Sequence, residues 1–492
     1  MATCPSQSMD RIMKRAGAVV VAVAAVAGAG WAGASWYTGK RVEETVRQGV
    51  ADANKANDWG AKIEIVSYER GILNSTARYR ISGLAGTTGD ELLLAIDSKV
   101  HHGPLPLDRL VKFQLKPVSA TTESTLARDE GLGSRLSTVD AGASFRERSV
   151  IDTQGNVDFR IDTPAMRFAQ DGGTLEVAGG AFTGLSEKEM THIRVNGTLE
   201  SVRIVAPVAQ QGTVDIRNIT ISSDNRVGRF GLQIGDGSLR VGSFTIAAAT
   251  PAGPFALAGS DFVVASHIEE DEKFMSGHVS YNFGKLALNN TDIGAIDARF
   301  AVRKLDGATT AKLSESYREF ARKPRQPGET DEAAARAAIA NLQAPLKDLL
   351  THSPAFALDA LTWTTPVGQS SLKVDVTLKP RDTPVERAEV NVPGVAVDRA
   401  TLDLSVSQPA VIDLIARLTK AGPGGQKITQ EQAREQATMV VAMLLGGVSQ
   451  SGFLTAQGDK VESHIKYDGK TLNVNGQDVP PEMLREILPM FE

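Results

Sequence analysis

The chain has 492 residues, 42% hydrophobic and 23% charged, with a formal net charge of -5, enough material for one large core or two to three smaller ones. Aromatic residues make up only 5% and no basic block is present. That composition disfavours a sugar-binding or base-stacking surface and removes the electrostatic case for nucleic acid as a partner. The single cysteine, Cys4, precedes the first apolar run, so the rest of the chain folds without disulfides, thiolate metal sites or a cysteine nucleophile.

Residues 1–15 read as a short tail carrying Arg11, Lys14 and Arg15. Ala16 to Tyr37 then give 22 residues without a charge, about 33 Å as a helix and enough for a hydrocarbon core of roughly 30 Å. The cations ahead of this run place the tail in the cytoplasm and the bulk of the chain outside. Trp36 and Tyr37, followed by Lys40 and Arg41, have the composition of an interfacial belt. The rival reading is a cleaved signal peptide, since "AGAS" (Ala32 to Ser35) offers small residues to a peptidase. The apolar run is long for a signal and passes directly into a helix-like "KRVEETVRQGVADANKAN", which favours an uncleaved anchor over 16–37. Gly28 with Ala32 and Gly33 has small-residue spacing compatible with a helix dimer, although Ala/Gly richness explains it as well. Residues 38–60 are expected to be a polar helical spacer.

From about residue 61 the hydrophobic period changes from 3.6 to 2. "NVDFRID" puts Val157, Phe159 and Ile161 on one face, with Asn156, Asp158, Arg160 and Asp162 on the other. "ARYRI" (from Ala77), "FGLQI" (from Phe230), "VSYNF" (from Val279) and "IDARFAV" (from Ile296) repeat the alternation, as do "SLKVDVTLK" (from Ser371), "ATLDLSV" (from Ala400) and "VESHIKY" (from Val461). Alternation of this kind predicts antiparallel strands with one apolar and one polar face. Turn signals such as "DTQGN", "AQDGG", "GDGS" and "YDGK" separate them. So many strands must twist, curl or split into more than one sheet.

Helical periodicity is local. "LSESYREFARK" leads through a polar hinge, "PRQPGET", to "DEAAARAAIANLQAPLKDLLTHS", where Leu342, Leu346, Leu349 and Leu350 share a face and Pro345 predicts a kink. Ser407 or Gln408 begins a helix with Pro409 in its first turn and Val411, Leu414, Ile415 and Leu418 inward. Thr429-x-x-Gln432 has the capping-box spacing of a further helix ending at Gly446. Its run Met439 to Leu445 is apolar nearly all round and too short for a bilayer, which predicts a buried helix against a sheet. A short amphipathic helix is expected near Pro481 to Pro489. The domain reading is thus a β-rich segment 61–310, a helical insertion 311–352, and a second β-rich segment 353–492 with two to three helices.

Residues with chemical potential are sparse. Of seven histidines, His101 and His102 are adjacent, so on a strand they point to opposite faces and cannot chelate together. "HGPLPL" reads as a rigid extended exit from that strand. "EEDE" (Glu269 to Glu272) reads as a solvated hairpin tip. The chain has no nucleophile elbow, phosphate loop or zinc-protease helix motif. Trp363 reads as a core anchor whose indole N–H needs a partner. No residue earns a catalytic, cofactor-binding or metal role, and no cofactor is implied.

Several segments together resemble the YdgA family of Gram-negative inner-membrane proteins, which includes YihF-like members. These are "WYTGKRVE" (Trp36 to Glu43), "YERGILNSTARYRI" (Tyr68 to Ile81), "HGPLPL" (His102 to Leu107), "LTWTTPVGQSSLKVDVTL" (Leu361 to Leu378) and "YDGKTLNVNGQ" (Tyr467 to Gln477). They occur in the family's order across nearly the whole chain, whereas the longer tail with Cys4 departs from the family's usual short one. The resemblance implies an anchored periplasmic protein of the inner membrane and supplies no catalytic residues.

The fold class expected is mainly β with α insertions, as large curled antiparallel sheets or a β-groove with a few packed helices, preceded by one N-terminal transmembrane helix. The expected function is non-enzymatic, an envelope protein holding lipid or an envelope protein partner on an apolar β-groove. The alternative is a structural partner forming a homodimer through the membrane helix. A less favoured reading, a periplasmic hydrolase, would use His102 as base and requires it in a concave pocket beside a carboxylate and a hydroxyl.

Overall fold

The computed structural model describes residues 34–51, 53–54, 61–85, 91–131, 136–138, 145–170, 173–206, 212–250, 253–322, 342–381, 385–387, 390–392, 394–422, 427–449 and 452–479. The fold is mainly antiparallel β with helices between strands. It divides into two compact units at Met166/Arg167, Gly180/Ala181 and Thr191/His192. The tail, residues 16–33 of the expected anchor, the "PRQPGET" hinge and the helix expected near Pro481 lie outside the described residues. Among those described, no helix is long and apolar enough to cross a membrane.

The first unit contains β1 (Lys62–Arg70), β2 (Asn74–Ala85), β3 (Glu91–His102), β4 (Ala120–Leu126), β5 (Leu136–Thr138), β6 (Arg146–Ile151) and β7 (Val157–Thr163). It also holds β10 (Gly180–Ser186), which follows β8 (Met166–Gln170) and β9 (Gly173–Val177) of the second unit. Its sheet runs β1-β2-β3-β4-β6-β7, with β10 paired to β7. Across one face lies helix α1 (34–51). The expected helical spacer 38–60 is helical over 38–51, and the same helix takes in residues 34–37 at the end of the uncharged run. Ser35, Gly39, Val42 and Val46 fall on one helical face. Val42, 3% exposed, packs with Val100, Ala120 and Ile151, flanked by Val46 and Val157. The Thr38 hydroxyl donates to the Gly103 carbonyl at 2.8 Å. Small residues at 35 and 39 carry little hydropathy signal, yet they are what lets the helix approach so closely.

The second unit is a nearest-neighbour meander of longer strands: β11 (His192–Val205), β12 (Gly212–Val227), β13 (Gln233–Thr250), β14 (Gly253–Glu270), β15 (Phe274–Leu288), β16 (Thr291–Asp306), β17 (Ala355–Thr365) and β18 (Gly368–Pro380). A separate hairpin, β19 (Val385–Arg387) with β20 (Val390–Val392), precedes β21 (Val395–Ser407). The chain closes with β22 (Thr455–Gln457), β23 (Lys460–Tyr467), β24 (Leu472–Val474) and β25 (Gln477–Asp478). The sheet order is β9-β11-β12-β13-β14-β15-β16-β17-β18-β21-β23-β24-β25. Two local expectations fail. "GDGS" lies inside β13, in register with β12 through Asp224–Asp236 and Ser222–Ser238. "FGLQI" begins as a turn, closed by Gly228 N to Leu232 O at 2.8 Å, and the Phe230 ring occupies the space a Cβ on Gly307 would need.

Helices fill the connections. Gly307 opens α3 (Gly307–Arg322), with the Asp306 carboxylate accepting from Thr309 N at 2.9 Å. In α4 (342–351), Leu349 and Leu350 are buried. Ser407 caps α5 (Gln408–Ala421). The expected reciprocal capping box starts α6 (Gln430–Ser449): Thr429 N donates to Gln432 Oε1 at 2.8 Å and Gln432 N to Thr429 Oγ1 at 3.2 Å. The face of α5 that meets Ala433 and Ala437 of α6 is Ile412, Ile415 and Ala416, and the expected inward residues Val411, Leu414 and Leu418 are half-buried. The helix α6 is not a buried helix on a sheet. It packs on α5 and leaves Met439 and Met443 65% and 72% exposed.

A Cβ on Gly39 would lie 2.4 Å from His102 Nδ1, so Gly39→Val forces α1 off the sheet. Overpacking of this kind costs about 1–3 kcal/mol. In urea unfolding of the whole chain, the first unit's transition is expected at lower denaturant, with Trp36 emission shifting ahead of the rest; an unchanged midpoint would refute this packing.

Candidate functional site

His102 ends β3 and is 1% exposed. Its Nε2 lies 2.8 Å from the Ser75 hydroxyl on β2, while Gly39 of α1 covers the ring. Burial pushes the imidazole below its ordinary value. The hydrolase reading requires a concave pocket and a carboxylate. Among the described residues the hydroxyl is present, but no carboxylate bonds to the imidazole. Ser75–His102 is a polar pair buried beneath α1. His101 points to the other face, as adjacency requires, and lines a small hollow between β3, β4, β6 and the loop after β3.

The other singled-out residues also have structural partners. Trp363 donates its indole N–H to the Ile293 carbonyl at 2.7 Å. "EEDE" forms the β14–β15 tip, where the Asp271 carboxylate accepts from Lys273 N at 2.7 Å and Phe274 N at 2.6 Å. Polar strand faces carry cross-strand pairs that sequence reading left scattered. His192 Nε2 and Arg194 Nε meet Asp224 at 2.6 and 2.9 Å, and His267 Nδ1 meets Asp236 at 2.8 Å. Hydrogen bonding to Asp236 raises His267 above its ordinary value, whereas burial lowers His278 beside it. No group of three or more metal-ligating side chains occurs among the described residues.

The feature that stands out is the apolar face of the second unit's sheet. Pairing aligns Leu199–Ile219–Val241–Phe262–Phe283–Ile296–Trp363 across seven strands. A neighbouring row runs Ile221–Leu239–Val264–Tyr281–Ala298–Leu361–Leu372–Leu404, and the next joins Val279, Phe300, Leu358, Val374, Leu402 and Ile465. Ten strands from β11 to β23, about 4.8 Å apart, make this face roughly 40 Å wide along the hydrogen bonds. Phe262 and Phe283 stack at 4.5 Å between centroids and Phe244 meets both edge-on at 6.4 Å. The face is incompletely covered: Phe300 is 47% exposed, Ile268 42% and Phe356 41%. Contiguous exposed apolar surface of this kind is uncommon on a folded protein.

One row of irregularity keeps the face continuous. Glu200, Asn218, Gly242, Asp261 and Gly284 align across five strands and are skipped in each ladder. Asn218 and Asp261 take left-handed φ values of 55° and 54°. Their Cβ atoms come within 2.8 and 2.9 Å of where a Cβ on Gly242 and Gly284 would sit. On both sides of the row the apolar residues lie three apart, as in Ile216/Ile219, Val241/Phe244 and Phe283/Leu286, in place of two. Alternation counting overlooks this slip; the alternation of Asn/Asp with Gly at matched positions was the available signal.

The histidines give a pH prediction. His102, lowered in the folded state, contributes stability that is present above about pH 6.5 and lost as pH falls through its folded value. His267, raised, contributes stability present below about pH 6.5 and lost as pH rises through its folded value. Histidine-selective NMR of the whole chain should show His102 titrating below the ordinary range and His267 above it, and His102→Gln should flatten the acid-side loss. An ordinary titration of His102 contradicts the sealed geometry.

Residues 13–482 match a family model described as "Bacterial protein of unknown function (DUF945)". The chain is similar to Protein YdgA of Escherichia coli (strain K12), 23% identical over 502 residues that cover 96% of each chain. It is similar to Uncharacterized protein YihF of the same organism, 20% identical over 498 residues, 96% of this chain and 98% of that one. An uncharacterized protein of Haemophilus influenzae is 28% identical over 123 residues, 24% of this chain and 32% of that one.

Proposed function

The chain belongs to the DUF945 family of bacterial proteins, in keeping with its resemblance to YdgA and YihF, and from that premise we propose that it is a non-enzymatic envelope protein that holds hydrocarbon chains of lipid on the apolar face of its second unit. The observation that carries this reading is the set of aligned apolar rows with exposed phenylalanines. Burial of hydrocarbon is non-directional and worth about 0.8 kcal/mol per methylene, so a face made mostly of hydrocarbon side chains, with the Tyr281 hydroxyl among them, suits an acyl chain. A peptide laid there would strand its own amides. The sheet's backbone groups are taken by its ladders, and the Trp363 indole is taken by Ile293.

In this proposal the uncharged run tethers the protein to the bacterial inner membrane by a single span, with its N-terminus cytoplasmic and the bulk of the chain periplasmic. The uncharged run over residues 16–37 would supply that span, about 33 Å at 1.5 Å per residue. That length suits a hydrocarbon core of about 30 Å.

Mass spectrometry of lipid extracted from the purified whole chain tests the reading. Lipid is expected to co-purify, and Phe283→Asp with Phe300→Asp should weaken binding of a fluorescent fatty acid at least about tenfold, since a buried carboxylate opposes the chain. Thr220→Asp on the polar face should leave binding unchanged. No extractable lipid, or equal loss from both faces, would sink it; a crosslinked dimer without lipid would favour assembly through the membrane helix.

A further inference from the structure

Between β3 and β4 of the first unit the chain forms the loop "PLPLDRLVKFQLKPV" (104–118). Its base is pinned: Gly103 N donates to Ser119 O at 2.7 Å and Val118 N to Pro104 O at 3.0 Å. Beyond the short helix α2 (Leu107–Leu110) the loop turns through Phe113, a non-glycine residue at φ 54°. Phe113 is 88% exposed, Val111 74% and Leu115 64%. Lys112 stands among these apolar tips, with Arg109 and Lys116 flanking them. The one acid in the loop, Asp108, accepts a hydrogen bond from Thr121 at 2.9 Å. Arg109 Nε is buried without a hydrogen-bond partner. Below the loop a hollow of about 190 Å³ is lined in part by His101, Arg109, Lys112 and Arg148.

The base of this loop lies where α1 begins. Thr38 donates to the Gly103 carbonyl at 2.8 Å, and Gly39 abuts the His102 ring. The Arg70 guanidinium sits 5.7 Å over the Trp36 ring. The uncharged residues 16–33 run directly into this end of the unit. We infer that the loop 107–116 is a bilayer-docking wedge, with Val111, Phe113 and Leu115 entering the headgroup–acyl boundary of an anionic leaflet and Arg109, Lys112 and Lys116 meeting lipid phosphates.

Three observations select a bilayer as occupant. Apolar tips interleaved with cations match an interface that is anionic above and hydrocarbon below. The long stems of Lys and Arg let those charges stay at phosphate level while the tips go deeper. A convex tip of three apolar side chains offers far less than the roughly 800 Å² per partner of a stable protein interface, whereas a bilayer receives a small wedge. The inference concerns the first unit and stands apart from the hydrocarbon reading of the second.

The test uses the whole chain with Cys4→Ser and Phe113→Cys, labelled with the environment-sensitive fluorophore NBD and mixed with phosphatidylcholine vesicles with or without phosphatidylglycerol. A Thr220→Cys chain labelled in the same way serves as reference. With phosphatidylglycerol present, the label at 113 is expected to shift to the blue and be quenched by nitroxides at shallow depth in the lipid, while the label at 220 keeps its aqueous spectrum. Lys112→Glu with Lys116→Glu should reduce the inserted fraction at least about tenfold. An aqueous spectrum at 113 in anionic vesicles overturns the inference, as does protection that arises only when a protein is added. Because the readout is local to residue 113, failure of lipid binding on the second unit leaves it untouched.

Discussion

The architecture of the second unit depends on strand register. Side chains alternate with a period of two, so a slip of one residue in any ladder would turn that strand's apolar set toward water. Nearest-neighbour antiparallel pairing of long strands keeps ten such sets on one side. The aligned row from Glu200 to Gly284 preserves this agreement, because every strand that crosses it carries one unpaired residue at the same place and the ladders keep their register on both sides. A bulge in one strand alone would break the face. Five matched irregularities move the apolar positions by one residue in all five strands together.

The same binary pattern has opposite outcomes in the two units. In the first, a helix whose contact face is Ser35, Gly39, Val42 and Val46 closes over the sheet, and Val100 and Ala120 become fully buried. Close approach there leaves room for one polar pair, Ser75 with His102, whose satisfied hydrogen bond limits the cost of burying an imidazole. In the second unit, α5 touches β16, β18 and β21, and its capping residue Ser407 fills the space beside Gly368. The central rows around Phe283 and Phe300 receive no comparable cover from the described helices. The arrangement thus separates a conventionally packed unit from one whose apolar chemistry faces outward.

Much of this was legible from local chemistry. Alternation in "VSYNF", "IDARFAV" and "SLKVDVTLK" located strands, since period-2 patterning arises from backbone geometry alone. The Thr429–Gln432 capping box and the Ser407 cap were readable because their partners lie three residues away. Errors arose where a distant contact decided the outcome. Phe230 leaves an apparent strand and packs on Gly307. "GDGS" stays extended because β12 lies beside it. The run from Met439 suggested burial, but Ala433 and Ala437 are the residues that meet α5.

The amino-acid order by itself determined a disulfide-free, mainly antiparallel β chain with one-faced strands, sparse chemistry and a leading uncharged run. These properties depend only on residue type and spacing. Which faces are covered, which histidine is sealed, and which loop presents its phenylalanine to solvent were decided by the tertiary structure. Coverage depends on contacts between residues far apart in the chain, such as Gly39 with His102 or Phe230 with Gly307, and local periodicity carries no record of them.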